Sequence, residues 1–433
     1  MHGYLRNAGW IFVEKIVRVV ITFILFALIS RQLGPEDTGI LSFSQSIVTM
    51  LLCITGLGLD SILIKEFSTN KQDENKIYST VMISKIAMSL LVMIICGGII
   101  FFIDISQLSK IVFLISLASL VFQSQTTFYS YFQANSKSSV VTKYSFIALL
   151  LSSFLKVYFL AIKSDVIWFA LSYSLDVIIS CIVLEYQMKR LDIKIKFSNF
   201  DPQVIKTLLR QSYPIILSSL IIILYTRLDQ VMIAKMLGAK ELGVFSVAIR
   251  MSDAYSFIPV AVATSFFPLL ASNNQKENIR LYFDLVYFSA FASAILVISF
   301  SFIFFESLFG SAYDGALPVL CITVFSTVFA VLGGACTNYL VTINLTYMRL
   351  VRAVLGLLIN FILNIIWIPK YGLLGAAFAS LISQVFSSYI GNILNKRTWE
   401  CFRIQTLSII TFGFFGVQSI AIKIIRRKYA EKG

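Results

Sequence analysis

The sequence is poor in the residues on which soluble enzymes and metalloproteins depend. Only 13% of its 433 residues are charged, whereas soluble domains average about 25%. Its single histidine, His2, excludes a Ser-His-Asp triad, a histidine metal site and a histidine proton relay within the chain. The six cysteines are scattered and form no Cys-x-x-Cys pair, which argues against disulfides and zinc. We therefore expect no metal and no cofactor.

Apolar residues take the place of the missing charge. They make up 58% of the chain, and the mean hydropathy is +0.85. The apolar runs are too long for strands and do not alternate, so they indicate membrane-spanning helices. We predict an all-α polytopic membrane protein with twelve core spans and a possible extra helix at 404–425. The core spans are 10–30, 40–64, 80–103, 110–133, 140–162, 166–186, 214–236, 244–270, 283–305, 316–343, 350–368 and 372–394.

The net charge of +14 is explained by a membrane rather than by nucleic acid. With a cytoplasmic N-terminus, far more Lys and Arg residues flank the inner ends of the spans than the outer ends, as the positive-inside rule requires. The residues after 425 are basic as well, so a span at 404–425 would place their charge outside, against the rule. We predict a cytoplasmic N-terminus, no nucleic-acid partner, and an interfacial or appended last helix.

Two segments of the chain match at an offset of about 204 residues. Residues 29–42 align with residues 233–246, and the aligned positions include the glycines Gly34 and Gly238. Each copy joins the first and second span of its half, so the halves form a parallel repeat of the kind found in secondary transporters. The predicted domains are an N-terminal six-helix lobe (1–190), a cytoplasmic linker (187–212), a C-terminal six-helix lobe (213–400) and a basic C-terminal segment (401–433).

Three motifs carry a resemblance to a known family: Arg31–Gly39, Leu237–Gly243 and Asn360–Ala377. With them the chain resembles a Wzx-type polysaccharide flippase of the multidrug/oligosaccharidyl-lipid/polysaccharide (MOP) exporter superfamily. The resemblance implies two six-helix lobes in a V-shaped arrangement like that of MATE transporters. It also implies movement of undecaprenyl-pyrophosphate-linked oligosaccharide repeat units across the cell inner membrane, for O-antigen or other surface polysaccharide. The polymerase and the chain-length regulator of the same pathway are the protein partners that it implies.

Ionisable residues inside spans are costly and usually face a cavity, so they are the candidates for function. A pyrophosphate needs Lys or Arg donors to replace its water, and several lie inside the spans. A neutralised structural ion pair is the competing interpretation for Arg18 and Arg250, which have acids at helical spacing. The pyrophosphate candidates are Lys15, Arg18, Lys85, Lys156, Arg227 and Arg250. The candidates for coupling to a proton or sodium ion are Glu14, Asp60 and Asp229.

Sugar recognition requires amide groups and aromatic faces. Such residues recur at helical spacing on spans four and eleven, although they also hydrogen-bond neighbouring helices in many membrane proteins. The sugar-contact candidates are Gln125, Tyr129, Gln133, Asn360 and Asn364.

Two other functions compete with the flippase. A multidrug or cationic-metabolite antiporter of the same fold would favour acids and aromatics over bases in its cavity. A membrane polysaccharide polymerase or glycosyltransferase would need a sizeable external loop with catalytic residues, whereas the predicted external loops are short. The sequence also contains no Walker A motif, so transport would use an ion gradient or consumption of the product rather than ATP.

Overall fold

Helices form every regular element in the part of the chain that the structure describes. The structure is a computed structural model, and it describes residues 2–69, 73–135, 137–191, 193, 195–272, 276–416 and 418. Side chains are described from residue 15 onwards, except at 138, 269, 271 and 272. The predicted all-helical class is confirmed within these residues.

The chain forms two compact units, Met1–Ala234 and Lys235–Gly433. The helices of the first unit are α1 (His2–Thr55), α2 (Asp60–Thr69), α3 (Glu74–Phe102), α4 (Gln107–Phe122), α5 (Thr126–Ala134), α6 (Ser138–Ala161), α7 (Val166–Arg190) and α8 (Pro202–Met236), whose last two residues belong to the second unit. The remaining helices of the second unit are α9 (Ala239–Ser272), α10 (Lys276–Phe309), α11 (Ala316–Thr342), α12 (Tyr347–Ser388) and α13 (Trp399–Ile410).

Nine helices in the described residues are long and apolar enough to cross a membrane. Two of them turn sharply at a glycine, α1 at Gly34 (φ 76°, ψ 175°) and α12 at Gly372 (φ 59°, ψ −137°), so each supplies two arms. With these arms, with α4 and α5 taken together, and with α9, the helices account for all twelve predicted spans. Gly238, the repeat partner of Gly34, also has a positive φ, 96°, and it joins α8 to α9.

Two predicted spans are interrupted rather than continuous. The second span breaks at residues 56–59, between α1 and α2, and the fourth breaks at the 3₁₀ turn Gln123–Gln125, between α4 and α5. Gly58 has a φ of 57°, and a Cβ built there would lie 3.1 Å from the backbone nitrogen of Ile216 on α8. Only glycine therefore fits this turn. A hydropathy window of about 19 residues averages over such short breaks, which is why the sequence predicted unbroken helices.

The segment after α7 is docked on α3. The Lys196 backbone N–H donates to Ser79 Oγ (3.2 Å), the Asp201 backbone N–H donates to Thr80 Oγ1 (3.1 Å), and Lys76 forms an ion pair with Asp201 (2.7 Å). α8 is also tied to the first unit, where Ser46 bonds to Gln230. The division between the compact units consequently falls at the end of α8, while the predicted lobes and their 187–212 linker stay predictions.

The last helix, α13, has 12 residues, which is too few to cross a bilayer. It packs on α10, where the Ser408 hydroxyl donates to Asp284 Oδ1 at 2.7 Å. A turn with Gly413 at a φ of 68° follows it. Most of the predicted 404–425 segment beyond this turn lies outside the described residues.

Candidate functional site

A polar pocket of about 140 Å³ lies in the first unit beside both helix breaks. Its polar lining comprises four hydroxyl side chains, one carboxylate and one amide: Thr55, Ser89, Ser124, Thr126, Asp60 and Gln123. We call this space the break pocket. In a hydrophobic span, non-helical backbone is tolerated where it lines a polar cavity. The position of the pocket therefore accounts for the two helix breaks.

A buried ion pair borders the break pocket. The Lys85 ammonium donates to Asp60 Oδ1 and to Thr126 Oγ1, each at 2.9 Å. The Lys85 side chain is 1% exposed, whereas the Asp60 side chain is 56% exposed. Asp60 therefore neutralises the buried cation and still presents carboxylate surface outside the pair.

Two short helices hold the partners of Lys85 in place. Asp60 opens α2 and Thr126 opens α5, so both helix N-termini lie at the pocket. An aspartate in the first turn is also favoured by the helix dipole. The far side of α2 and α5 packs into an aromatic core, in which Phe67 and Tyr131 meet edge to face at 5.3 Å. This core anchors both short helices while their N-terminal ends remain free for polar contacts.

Gln125 adds an unsatisfied polar atom next to this site. Its side chain is 7% exposed, and its Oε1 has no hydrogen-bond partner. An unpaired buried acceptor costs about 1–3 kcal/mol, so it is a feature that packing alone does not favour.

A second buried ion pair joins α6 and α7. Lys156, which is 2% exposed, lies 3.8 Å from Asp176 and 4.4 Å from the centre of the Tyr173 ring. The Ser152 hydroxyl donates to Asp176 at 2.9 Å. Carboxylate, ring and hydroxyl together compensate the buried ammonium.

The other pyrophosphate candidates are more accessible. On α1, Lys15 is exposed and Arg18 is half-buried; on α8, Arg227 is half-buried; on α9, Arg250 is exposed. Of the coupling candidates other than Asp60, Asp229 on α8 is buried, and the side chain of Glu14 lies outside the described residues.

The sugar-contact candidates do not share one environment. Gln125 is buried, Tyr129 is half-buried with its hydroxyl 3.3 Å from Ser145 Oγ, and Gln133 is exposed. The helix break at 123–125 separates the register of Gln125 from that of the other two. Asn360 and Asn364 are both buried and bonded to each other, with Asn364 Nδ2 donating to Asn360 Oδ1 at 3.1 Å.

The sequence missed one buried cation, Arg352 on α12. Its position near the start of the predicted span 350–368 is typical of a basic residue at the cytoplasmic end of a span, but its side chain is 4% exposed. It donates to Asn392 Oδ1 (3.1 Å) and to Thr337 Oγ1 (3.0 Å). The thiols of Cys336 and Cys401, 3.0 Å apart, lie in the same network. The partners of Arg352 are polar residues of α11 and of the turn after α12, and these are visible in the sequence. Their spacing, however, gives no indication that they contact Arg352.

Comparisons with known proteins agree with this architecture. A family model described as polysaccharide biosynthesis protein matches residues 4–274. The capsular polysaccharide biosynthesis protein CapF of Staphylococcus aureus is 21% identical over 389 residues, which cover 88% of this chain and 96% of CapF.

Two solved structures show the fold. The lipid II flippase MurJ, in an inward closed conformation, has a TM-score of 0.71 at 17% identity, with 95% of this chain and 96% of that chain covered. An inward-facing multidrug resistance MATE family transporter of the MOP superfamily has a TM-score of 0.64 at 14% identity, with 90% and 95% covered. The fold is thus a transporter fold of a multi-pass membrane protein.

Proposed function

The chain belongs to the polysaccharide biosynthesis protein family, and from this premise we propose that it is a flippase for lipid-linked glycans. Its substrate is an undecaprenyl-pyrophosphate-linked oligosaccharide repeat unit, moved across the inner membrane for O-antigen or another surface polysaccharide. The observation that carries the proposal is the family match over residues 4–274, joined to a fold that a lipid II flippase also has. The polymerase and chain-length regulator of the pathway are its proposed partners, and its N-terminus is cytoplasmic.

We assign the pyrophosphate to the accessible cations. Lys85 and Lys156 are only 1% and 2% exposed, so a ligand has little access to their ammonium groups. Arg18 and Arg250 retain exposed surface and carry planar guanidinium groups, which suit bidentate binding of phosphate oxygens. Lys15 and Arg227 supply further positive charge on α1 and α8.

Transport follows alternating access, driven by an ion gradient or by consumption of the product. Among the coupling candidates, Asp60 already holds an ammonium group at 2.9 Å, which occupies the position that a sodium ion would take. Asp229 is buried in α8, where an ionisable carboxylate is costly, so it is the preferred carrier of a coupling ion, with Glu14 as the second candidate.

The fold does not distinguish this proposal from the antiporter alternative, because MOP transporters of both kinds share it. The family match favours the flippase. A site for cationic drugs favours acidic groups that are free to meet the cation, whereas Asp60 and Asp176 each hold a lysine. The polymerase or glycosyltransferase alternative is disfavoured by the transporter fold.

Complementation of a deletion strain tests the proposal. At matched protein levels, Arg18→Ala and Arg250→Ala should each abolish export of surface polysaccharide, with lipid-linked repeat units accumulating on the cytoplasmic face. Arg18→Lys should restore export only in part, because lysine keeps the positive charge but loses the planar guanidinium group that binds two phosphate oxygens at once. Arg349→Ala, an exposed arginine at the start of α12, is the matched control and should export normally. Full export by both alanine variants would contradict the pyrophosphate assignment, and normal polysaccharide in the deletion strain itself would contradict the flippase.

A further inference from the structure

We infer that the break pocket is a subsite for one uncharged pyranose ring of the transported glycan, an inference that rests on the proposed flippase function. Three independent properties of the pocket lead to this occupant: its charge, its hydrogen-bonding capacity and its size.

The charge of the break pocket is balanced. Asp60 is the ionised side chain of the described lining, and its charge is countered by the Lys85 ammonium, which is buried outside the lining at 2.9 Å from the carboxylate. The nearby Lys85 charge offsets the attraction of Asp60 for a cation, and the exposed surface of the Asp60 carboxylate repels an anion. A neutral, hydrogen-bonding ligand meets neither penalty.

The pocket retains hydrogen-bonding groups that the protein does not use. Several serine and threonine hydroxyls on these helices donate back to a carbonyl one turn earlier, as Ser84 and Ser116 do. Within the described residues, the side chains of Thr55, Ser89 and Gln123 make no hydrogen bond. Thr55 and Ser89 are 3% and 1% exposed, so their unused hydroxyls border the pocket rather than bulk solvent.

These groups match the chemistry of a sugar ring. Each sugar hydroxyl both donates and accepts a hydrogen bond, and the lining offers hydroxyls, an amide and a carboxylate. Asp60 Oδ1 accepts from Lys85, while the rest of this half-exposed carboxylate can accept from a ring hydroxyl. Charge-assisted bonds of this kind are about twice as strong as neutral ones.

The size of the pocket limits the occupant to one ring. A volume of 140 Å³ corresponds to about five waters at liquid density. A pyranose with its hydroxyls is somewhat larger than five waters, so one edge of a single ring enters the pocket, and two linked rings exceed the space. The subsite therefore contacts one sugar of the repeat unit and leaves the remaining sugars outside.

Saturation-transfer NMR on the purified full-length protein in detergent tests the inference. The probes are glucose, galactose and their N-acetylamino forms, with galacturonate and glucosamine as charged comparators. We expect at least one neutral pyranose to bind more tightly than both charged sugars. Ser89→Met, which fills the pocket, should remove that signal, and Thr55→Val, which removes a hydroxyl at constant volume, should weaken binding about fivefold. Ala87→Met adds the same bulk on the exposed face of α3 and should bind as the unaltered protein does.

Several results would overturn the subsite: unchanged binding in Thr55→Val, a retained signal in folded Ser89→Met, preference for a charged sugar, or no binding of any neutral probe. If Ser89→Met fails to fold on gel filtration, the isosteric Thr55→Val decides. Failure of the proposed function looks different, because the unaltered protein would then bind a pyranose in the break pocket without restoring export to the deletion strain.

Discussion

The two units bury a cation in different ways. In the first unit, Lys85 bonds to a carboxylate beside the break pocket, with Asp60 Oδ1 at 2.9 Å. In the second unit, Arg352 bonds to neutral acceptors, the Asn392 amide oxygen and the Thr337 hydroxyl, and no ion pair of Arg352 exists among the described residues. Both side chains are nearly inaccessible, at 1% and 4% exposure.

This difference follows from the chemistry of the two side chains. A guanidinium has several donors in a fixed plane and is weakly hydrated, so Arg352 can join α11, α12 and the following 3₁₀ turn without an acid. An ammonium is a strongly hydrated point charge, and Lys85 requires a carboxylate when buried. Of the two buried cations, Lys85 is the one whose partner, Asp60, lines the break pocket.

The largest expected effect comes from breaking the Lys85 pair. Asp60→Ala leaves a buried ammonium without a carboxylate and should lower the free energy of unfolding by about 3 kcal/mol, with loss of export. The double variant Asp60→Ala/Lys85→Met removes the charge as well and should recover most of the stability. Thermal unfolding of the four proteins in detergent, read as a double-mutant cycle, measures the coupling. Additive losses would show that the two residues do not stabilise each other.

A smaller effect is expected at Arg352. Arg352→Met removes the guanidinium donors from the Asn392 and Thr337 acceptors and should cost about 2 kcal/mol. Export per folded molecule should stay normal, because Arg352 donates its hydrogen bonds to neighbouring helices and turns. Surface polysaccharide divided by folded protein, measured by gel filtration, checks this. Arg349→Ala, on the same helix and exposed, is the control. Loss of export in well-folded Arg352→Met would remove the distinction between the two cations.

The smallest effect is expected for an accessible pair, Lys76 with Asp201, at 2.7 Å. The Lys76 ammonium and the Gln203 backbone N–H hold the pKa of Asp201 below its usual value of 3.8. A carboxylate with a lowered pKa stabilises the folded state above its usual pKa, and this contribution is lost as the pH falls through the folded-state pKa. Lys76→Ala should therefore cause a slight loss of thermal stability at neutral pH and none in strong acid. A loss that persists in strong acid would indicate a packing role for the lysine stem.

The fold was largely predictable from the sequence, because long apolar runs leave few alternatives to membrane helices. The turn glycines were also recognisable, since Gly34 and Gly238 occupy equivalent positions of the repeat. Lys85 and Asp60 were both identified as candidates, but their pairing was not. They lie 25 residues apart on different helices, and a single sequence carries no signal for contacts across helices.

The break pocket was the least predictable feature. Hydropathy reports transfer into lipid, and it does not distinguish a hydroxyl that lines a cavity from one that bonds within its helix. Two local signals existed: the Gly56-Leu57-Gly58 run and the polar stretch 123–127 inside otherwise apolar spans. For Arg352 the sequence was misleading, because its position five residues after the start of α12 is also that of an ordinary inner-leaflet arginine.

The sharp turn at Gly34 has a consequence for the mutations that the gene tolerates. No atom lies within 4 Å of a Cβ built there, so the position has ample room for a side chain. Its backbone angles nevertheless belong to a region that is essentially closed to residues with a Cβ, at a cost of about 1–3 kcal/mol. Every missense change of one base in a glycine codon introduces a Cβ. The gene is therefore expected to be as intolerant of missense change at this open corner as at a buried core position.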